Sequence, residues 1–316
     1  MEKQSRIRRN RNMKLKKIAS LLLAGAMMVS GSALAFEQTG EITVISREAN
    51  SGTRGAFDEM MNIVVKTDEG AEDRLFEEAV LVDSTDAVVS KVEVDEQAIG
   101  YTSLGAVNDK VKALPVDGVE ATVENVKSGS YALARPFVLA TQTGADDPLA
   151  ADFIAYVLST QGQAIVAERG YVTATDDTAT TADGSEAVAA TEYTASGLSG
   201  KLTLSGSTSV EKVIEALKEG YTALNPDVNV EITFSGSSAG IKDVIEGKVN
   251  IGMSSRALKD DELATLTQTT FAHDGIAVIV NLNNPIEAIT SAQITSIYTG
   301  ETRTWDAVDA VTEPAA

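Results

Sequence analysis

Arg47 stands two residues beyond Ile45, the last of an apolar run with Ile42 and Val44, and three residues before a polar turn, Asn50-Ser51-Gly52-Thr53. The run reads as the end of a buried strand, and Phe57, Met60 and Met61 then recur at helical spacing. A strand that ends in such a turn and opens a helix aims free backbone N–H groups and a positive dipole end at one point. That point suits an anion. An arginine beside it adds a permanently charged fork with bidentate reach. Taken alone, the stretch also fits an ordinary helix cap beside a surface arginine.

Two more turns share the design. Gly206-Ser207-Thr208-Ser209 lies between a strand pattern at Lys201–Leu204 and a helix pattern at Val210–Leu224. Gly236-Ser237-Ser238-Ala239-Gly240 lies between Val228–Phe234 and Ile241–Gly247. A further strand, Val249–Met253, runs into Ser254-Ser255-Arg256. Ligands of open α/β sheets bind beyond the carboxyl ends of the strands, and a small tetrahedral oxyanion needs donors from several directions. Three Ser/Thr/Gly turns with Arg47 and Arg256 at strand ends supply such donors.

Strand and helix patterns alternate throughout, so the class is α/β. Ala98–Tyr101 and Ile276–Val280 read as buried strands, Asp86–Val92 as helical, and Ser291–Tyr298 as a short helix. Tyr131–Ala140 reads as a strand that Pro136 confines to an edge or a crossing position. Asp152–Arg169 reads as one amphipathic helix closed by Gly170. Residues 173–198 are rich in Thr, Ala, Asp, Ser and Gly, and read as a mobile linker.

Residues 3–17 carry eight Lys and Arg, an apolar run follows from Ile18 to Val29, and Ser32-Ala33-Leu34-Ala35 offers a cleavage site after Ala35. Residues 1–35 therefore read as a secretory signal, too short in its apolar part to span a bilayer comfortably. A start at Met13 would leave a more ordinary Lys-rich leader. With no cysteine in the chain, disulfides, thiolate metal sites, a cysteine nucleophile and a lipid-modified cysteine are excluded. The chain carries net charge −20, and without residues 1–35 it has 18 basic against 45 acidic residues, a net of −27. Such a surface opposes nucleic acid and anionic membranes. A buried anion site answers to local donors and dipoles more than to distant, screened charge.

The chain resembles the substrate-binding protein of the bacterial phosphate ABC importer. The resemblance rests on GSTSV (206–210), FSGSSAGIKDV (234–244), IGMSSR (251–256), AHDGIAVIVN (272–281), ITSAQITSIYTGETRTW (289–305), ISREANSGTRGAF (45–57), AIGYTSLG (98–105) and YVLSTQGQAIVAERGYV (156–172). It implies a two-lobed periplasmic-binding-protein-like fold of type II, with the ligand cleft between the lobes. In the family the GSTSV half precedes the SREANSGTR half; here it follows. The chain thus resembles a circularly permuted member, with the linker joining the family's usual ends at slowly growing entropic cost. Phe36–Ser130 with Ile276–Ala316 would then form lobe II, and Tyr131–Gly275 lobe I, with the linker inside it. The alternative pairs each half with a half from another molecule.

Carried over residue by residue, the resemblance implies phosphate ligands at Thr208, Ser209, Ser237, Ser255, Arg47, Ser51, Gly52 and Thr53, with Ser207, Ser238 and Arg256 as weaker candidates. Some members carry an aspartate where this chain has Ser255. That aspartate accepts the phosphate proton and helps reject sulfate, so the basis of selectivity here is open. Glu48 and Asp274 are candidate acceptors, Glu48 better suited to orienting Arg47 and Asp274 to the crossing turn. The expected partners are inorganic phosphate and a membrane ABC permease. The expected protein is an exported monomer that binds no nucleic acid and needs no metal or cofactor. Another oxyanion (sulfate, molybdate, tungstate) is the alternative ligand. A phosphoester hydrolase is disfavoured: His273, the sole histidine, has no partner motif, and no Walker-type loop occurs. Sequencing the N-terminus of the exported protein should return Phe36; an uncleaved leader would contradict the signal assignment.

Overall fold

In a computed structural model of the protein, residues 39–67, 70–174 and 190–308 are described. The expected signal segment and most of the expected linker lie outside them. Along the chain the elements are β1 (Thr43–Arg47), α1 (Gly52–Met60), β2 (Val64–Thr67), β3 (Gly70–Asp73), β4 (Val80–Val82), α2 (Thr85–Val94), β5 (Ala98–Ser103), β6 (Val111–Leu114), α3 (Val123–Lys127) and β7 (Ala134–Gln142). There follow α4 (Pro148–Val157), α5 (Thr160–Glu168), β8 (Val172–Thr173), β9 (Gly200–Gly206), α6 (Glu211–Leu224), β10 (Val228–Phe234), α7 (Ser237–Ile245), β11 (Ile251–Ser254), α8 (Asp260–Leu263), β12 (Leu266–Asn281), α9 (Ser291–Tyr298) and α10 (Trp305–Val308).

The main sheet runs β10-β9-β11-β7-β12-β5-β1-β4. At one end β10, β9 and β11 are parallel; at the other β5, β1 and β4 are parallel. Between them lie β7 and β12, antiparallel to each other and to their neighbours. β12 joins the two groups: Leu266–Gly275 pairs with β7, and Ile276–Val280 pairs with β5. The sequence suggests only the second stretch as a strand, because Thr267, Gln268, Thr269 and Thr270 break the apolar run. Asp274, expected in a turn, lies within this continuous strand. Pro136 lies opposite His273 of β12 but below the β11 pairing, which begins at Val138, so its missing N–H costs no ladder bond on that side.

Each parallel group has its own core. One gathers Phe57, Tyr101, Tyr298 and Trp305, with the Phe57 ring stacked 4.0 Å from Tyr101 and edge-on 5.0 Å from Tyr298. The other gathers Phe137, Phe153, Tyr156, Tyr221 and Phe271. In α6 the buried Val213, Ile214, Leu217 and Tyr221 recur at helical spacing and face that second core.

Two expectations are corrected. The helix foreseen over 152–169 is two helices, α4 and α5, because Ser159 caps the second: its Oγ accepts the Gly162 N–H at 3.2 Å and donates to the Tyr156 carbonyl at 2.6 Å. The described end of the foreseen linker is also fastened. The Tyr193 hydroxyl donates to Asp152 at 2.7 Å and accepts from the Asn225 amide at 3.0 Å, and its backbone exchanges hydrogen bonds with the Gln161 side chain. The polar composition hid a single aromatic anchor. Deleting the first core's central ring is expected to be severe: Phe57→Ala should lower unfolding free energy by about 3–5 kcal/mol in urea titration.

Candidate anion site

Five strands deliver their carboxyl ends to one place. β1 ends at Arg47, β4 leads into Asp83–Thr85, β9 into Ser207–Ser209, β10 into Gly236–Ser237, and β11 into Ser255. Helices or helical turns start immediately after four of them. Ser51 caps α1 by accepting the Arg54 N–H at 3.2 Å, and Ser84 caps α2 by accepting the Ala87 N–H at 3.2 Å. Ser207 caps the helical turn Thr208–Val210 by accepting the Ser209 N–H at 3.2 Å. The hydroxyl oxygens of Ser51 and Ser207 therefore serve their own turns.

Arg47 is buried, with 1 % of its surface exposed. Its Nε donates to Glu48 Oε2 at 3.0 Å and its Nη2 to Glu48 Oε1 at 2.9 Å, which gives Glu48 the orienting role foreseen for it. The carbonyls of Val82 and Asp83 accept from the same side at 3.3 and 3.2 Å. The other edge of the guanidinium faces hydroxyls: Nη2 donates to Thr208 Oγ1 at 3.2 Å and Nη1 to Thr85 Oγ1 at 3.4 Å. The backbone of Arg47 is pinned as well. Its N–H donates to the Tyr101 hydroxyl at 3.2 Å, and its carbonyl accepts from Arg54 Nη1 at 3.3 Å.

The hydroxyls continue away from Arg47. Thr85 Oγ1 lies 3.0 Å from Ser209 Oγ, which lies 2.7 Å from Thr53 Oγ1. On the other flank, Ser237 Oγ accepts the Ser255 N–H at 3.1 Å and lies 3.3 Å from Ser255 Oγ. Gly52 links the flanks. A Cβ there would collide with Ser237 and Ser255, so only glycine permits this approach of α1 to α7. Gly236, at φ +89°, turns β10 into α7 beside the Asn50 carbonyl, which accepts the Ser238 N–H at 3.1 Å.

The structure thus brings Arg47, Gly52, Thr53, Thr208, Ser209, Ser237 and Ser255 together, with Ser51 at the head of α1. Ser238 enters through its N–H. Arg256 is placed differently from the expectation: its guanidinium is held by both Glu262 oxygens at 2.7 and 2.8 Å, with Nη1 also on the Ala257 carbonyl at 2.8 Å. Asp274 is likewise occupied. It pairs with the buried Arg135 at 2.9 Å and accepts the Leu104 N–H at 3.1 Å. Burial pushes its carboxyl upward from the ordinary value, and Arg135 opposes that push.

Two residues of the site were missed. Thr85 sits in a fourth strand–Ser/Thr–helix turn, Asp83-Ser84-Thr85, that no glycine flags. Arg135 is an arginine inside an apolar strand; its Nη1 holds the Ser255 carbonyl at 3.2 Å.

The chemistry available is oxyanion binding. Hydroxyls and one guanidinium edge meet between segments of both halves of the chain, next to the first turns of α1, α2 and α7, and buried hydrogen bonds to charge are strong. Beneath it, Arg54 bridges the Arg47 carbonyl to Asp58 at 3.0 Å. Asp58 is buried, its Oδ1 has no hydrogen-bond partner among the described residues, and burial raises its carboxyl to about 6. Between pH 4 and 6 the folded chain then holds a proton that the unfolded chain has released, so stability should fall as pH rises through that interval. Thermal unfolding should show a loss of about 2–3 kcal/mol there in the wild type, and a flatter profile in Asp58→Asn.

Comparison with known proteins bears on family and fold. The model of the PBP superfamily domain matches residues 30–161 and 175–316. The phosphate-binding protein PstS 2 of Streptococcus agalactiae serotype V is 40% identical over 301 residues, covering 93% of this chain and 98% of that one. The phosphate-binding protein PstS of Pseudomonas aeruginosa PAO1 is 35% identical over 112 residues, 33% of this chain and 35% of that one. A crystal structure of a phosphate-binding protein of a phosphate ABC transporter from Streptococcus pneumoniae TIGR4 superposes with a TM-score of 0.67 at 40% identity, covering 86% of this chain and 100% of that one.

Proposed function

The chain belongs to the PBP superfamily, and on that premise we propose that it captures inorganic phosphate between two lobes and presents it to an ABC importer. The observation that carries this reading is the meeting of Arg47 with the Thr208 hydroxyl, and of Thr53 and Thr85 with the Ser209 hydroxyl, across the two halves of one chain. A small, fully encircled oxyanion fits a site whose donors come from five strand ends. The ligand set is Arg47, Ser51, Gly52, Thr53, Thr208, Ser209, Ser237 and Ser255. The role is binding, with no catalytic residue, metal or cofactor.

Lobe I holds β7 to β11 and the first part of β12; lobe II holds β1 to β6 and the end of β12. The change of β12 partner after Gly275 supports that boundary. Tyr131 and Leu133 belong to the same core cluster as Phe57, which favours an earlier boundary just before β7 over one at Ser130. The halves stand in permuted order. Sequential matching through nearly all of the streptococcal relative, against a third of the Pseudomonas one, supports a segment order shared with the former. The protein acts outside the cytoplasm as a monomer, and its closed form is what the permease engages. Sulfate or a related dianion is the second reading, favoured by Ser255, which does not repel a proton-free anion as a carboxylate would.

Isothermal titration of Arg47→Ala decides the site. Loss of the guanidinium should weaken phosphate binding about 100-fold, since each hydrogen bond to a charged group contributes about 1.5–3 kcal/mol. Unchanged affinity would place the ligand elsewhere. Competition between phosphate and sulfate on the wild type separates the two ligand readings: a phosphate-selective protein excludes the second.

A further inference from the structure

We propose that Thr85 is a direct ligand of the bound oxyanion and the central member of a hydroxyl run, Thr53–Ser209–Thr85–Thr208, that spans both halves of the chain. The proposal rests on the reading of this site as a phosphate site. Thr85 is buried, with 6 % of its surface exposed, and its Oγ1 faces three groups of the ligand set: Arg47 Nη1 at 3.4 Å, Ser209 Oγ at 3.0 Å and Thr208 Oγ1 at 3.4 Å.

The hydrogen-bond capacities favour a ligand role over a purely structural one. Four hydroxyls carry four protons, but the run has three mutual contacts. Arg47 donates into the run at both Thr85 and Thr208 and takes nothing from it. Three contacts use three of the four protons, so one hydroxyl proton finds no acceptor within the run, and an anion among these groups supplies that acceptor. Thr85 also opens α2, so its own N–H is one of the unpaired amides of the first helical turn. Ser84 satisfies the Ala87 N–H instead. A hydroxyl that donates to a bare oxygen or accepts a proton from a protonated one can serve both forms of phosphate, which a carboxylate cannot. That matters in a site with Ser255 where some relatives of the resembled family carry an aspartate.

The test is phosphate titration of the wild type, Thr85→Val and Thr85→Ser, with thermal unfolding of each. Valine keeps the branched shape and removes the hydroxyl; it should weaken phosphate binding about 10–100-fold, with the melting temperature little changed. Serine should bind within about 3-fold of the wild type. Thr85 acting only by positioning Arg47 is separated by a cycle with Arg47→Lys. A direct ligand predicts a further loss of at least about 5-fold when Thr85→Val is added to Arg47→Lys, whereas pure positioning predicts none. Wild-type binding with an unaltered Thr85→Val overturns this inference and leaves the site reading standing. A wild type that binds no phosphate overturns both.

Discussion

A buried guanidinium sets the terms for this structure. Arg47 lies almost fully out of water, and an unpaired charge there would be costly. Its compensation comes from Glu48 on its own strand end and from the carbonyls of Val82 and Asp83 on the neighbouring one. β1 and β4 must therefore finish side by side, as their parallel register has them. Tyr101 on β5 fixes the Arg47 N–H, and Arg54 on α1 fixes its carbonyl. What remains of the guanidinium faces the hydroxyls of the other half. Because Glu48 shares the charge, the proposed anion capture would draw on many hydroxyl and amide dipoles together with one partly shared cation. This also reconciles the proposed phosphate site with a strongly acidic chain: the donors are local, while charge on the exposed surface is screened.

The same contacts join the two halves. Gly52 against Ser237, the Asn50 carbonyl on the Ser238 N–H, and Thr53 on Ser209 all cross between segments far apart in sequence. These contacts are made within one chain. The strands that connect the lobes, β7 and β12, carry Arg135 and Asp274 opposite each other. Arg135 also grips the Ser255 carbonyl. The connection between lobes and the floor of the site are thus tied through one buried ion pair.

Much of this was legible from residue order. Arg47, Ser51–Thr53, Thr208–Ser209 and Ser237 each follow an apolar run and precede a helical one, so local pattern alone placed them at strand ends. Thr85 escaped because β4 is three residues long and its turn carries no glycine. Arg135 escaped because its partner is 139 residues away, a distance no local pattern spans. Arg256 was the opposite case: it sits where a ligand would, yet Glu262, six residues on, holds both of its terminal nitrogens, Nη1 and Nη2. The Asp152–Arg169 pattern concealed a helix break because the apolar spacing runs on through Ser159. Tyr193 shows that a low-complexity stretch can be fixed by one ring.

The most direct measurement of the central claim is isothermal titration of the exported chain with phosphate, with its mass followed by light scattering. A site completed within one chain predicts one phosphate bound per monomer. Half-occupancy in a dimer would mean that halves pair between molecules, and absence of binding by either species would contradict the account of the site itself.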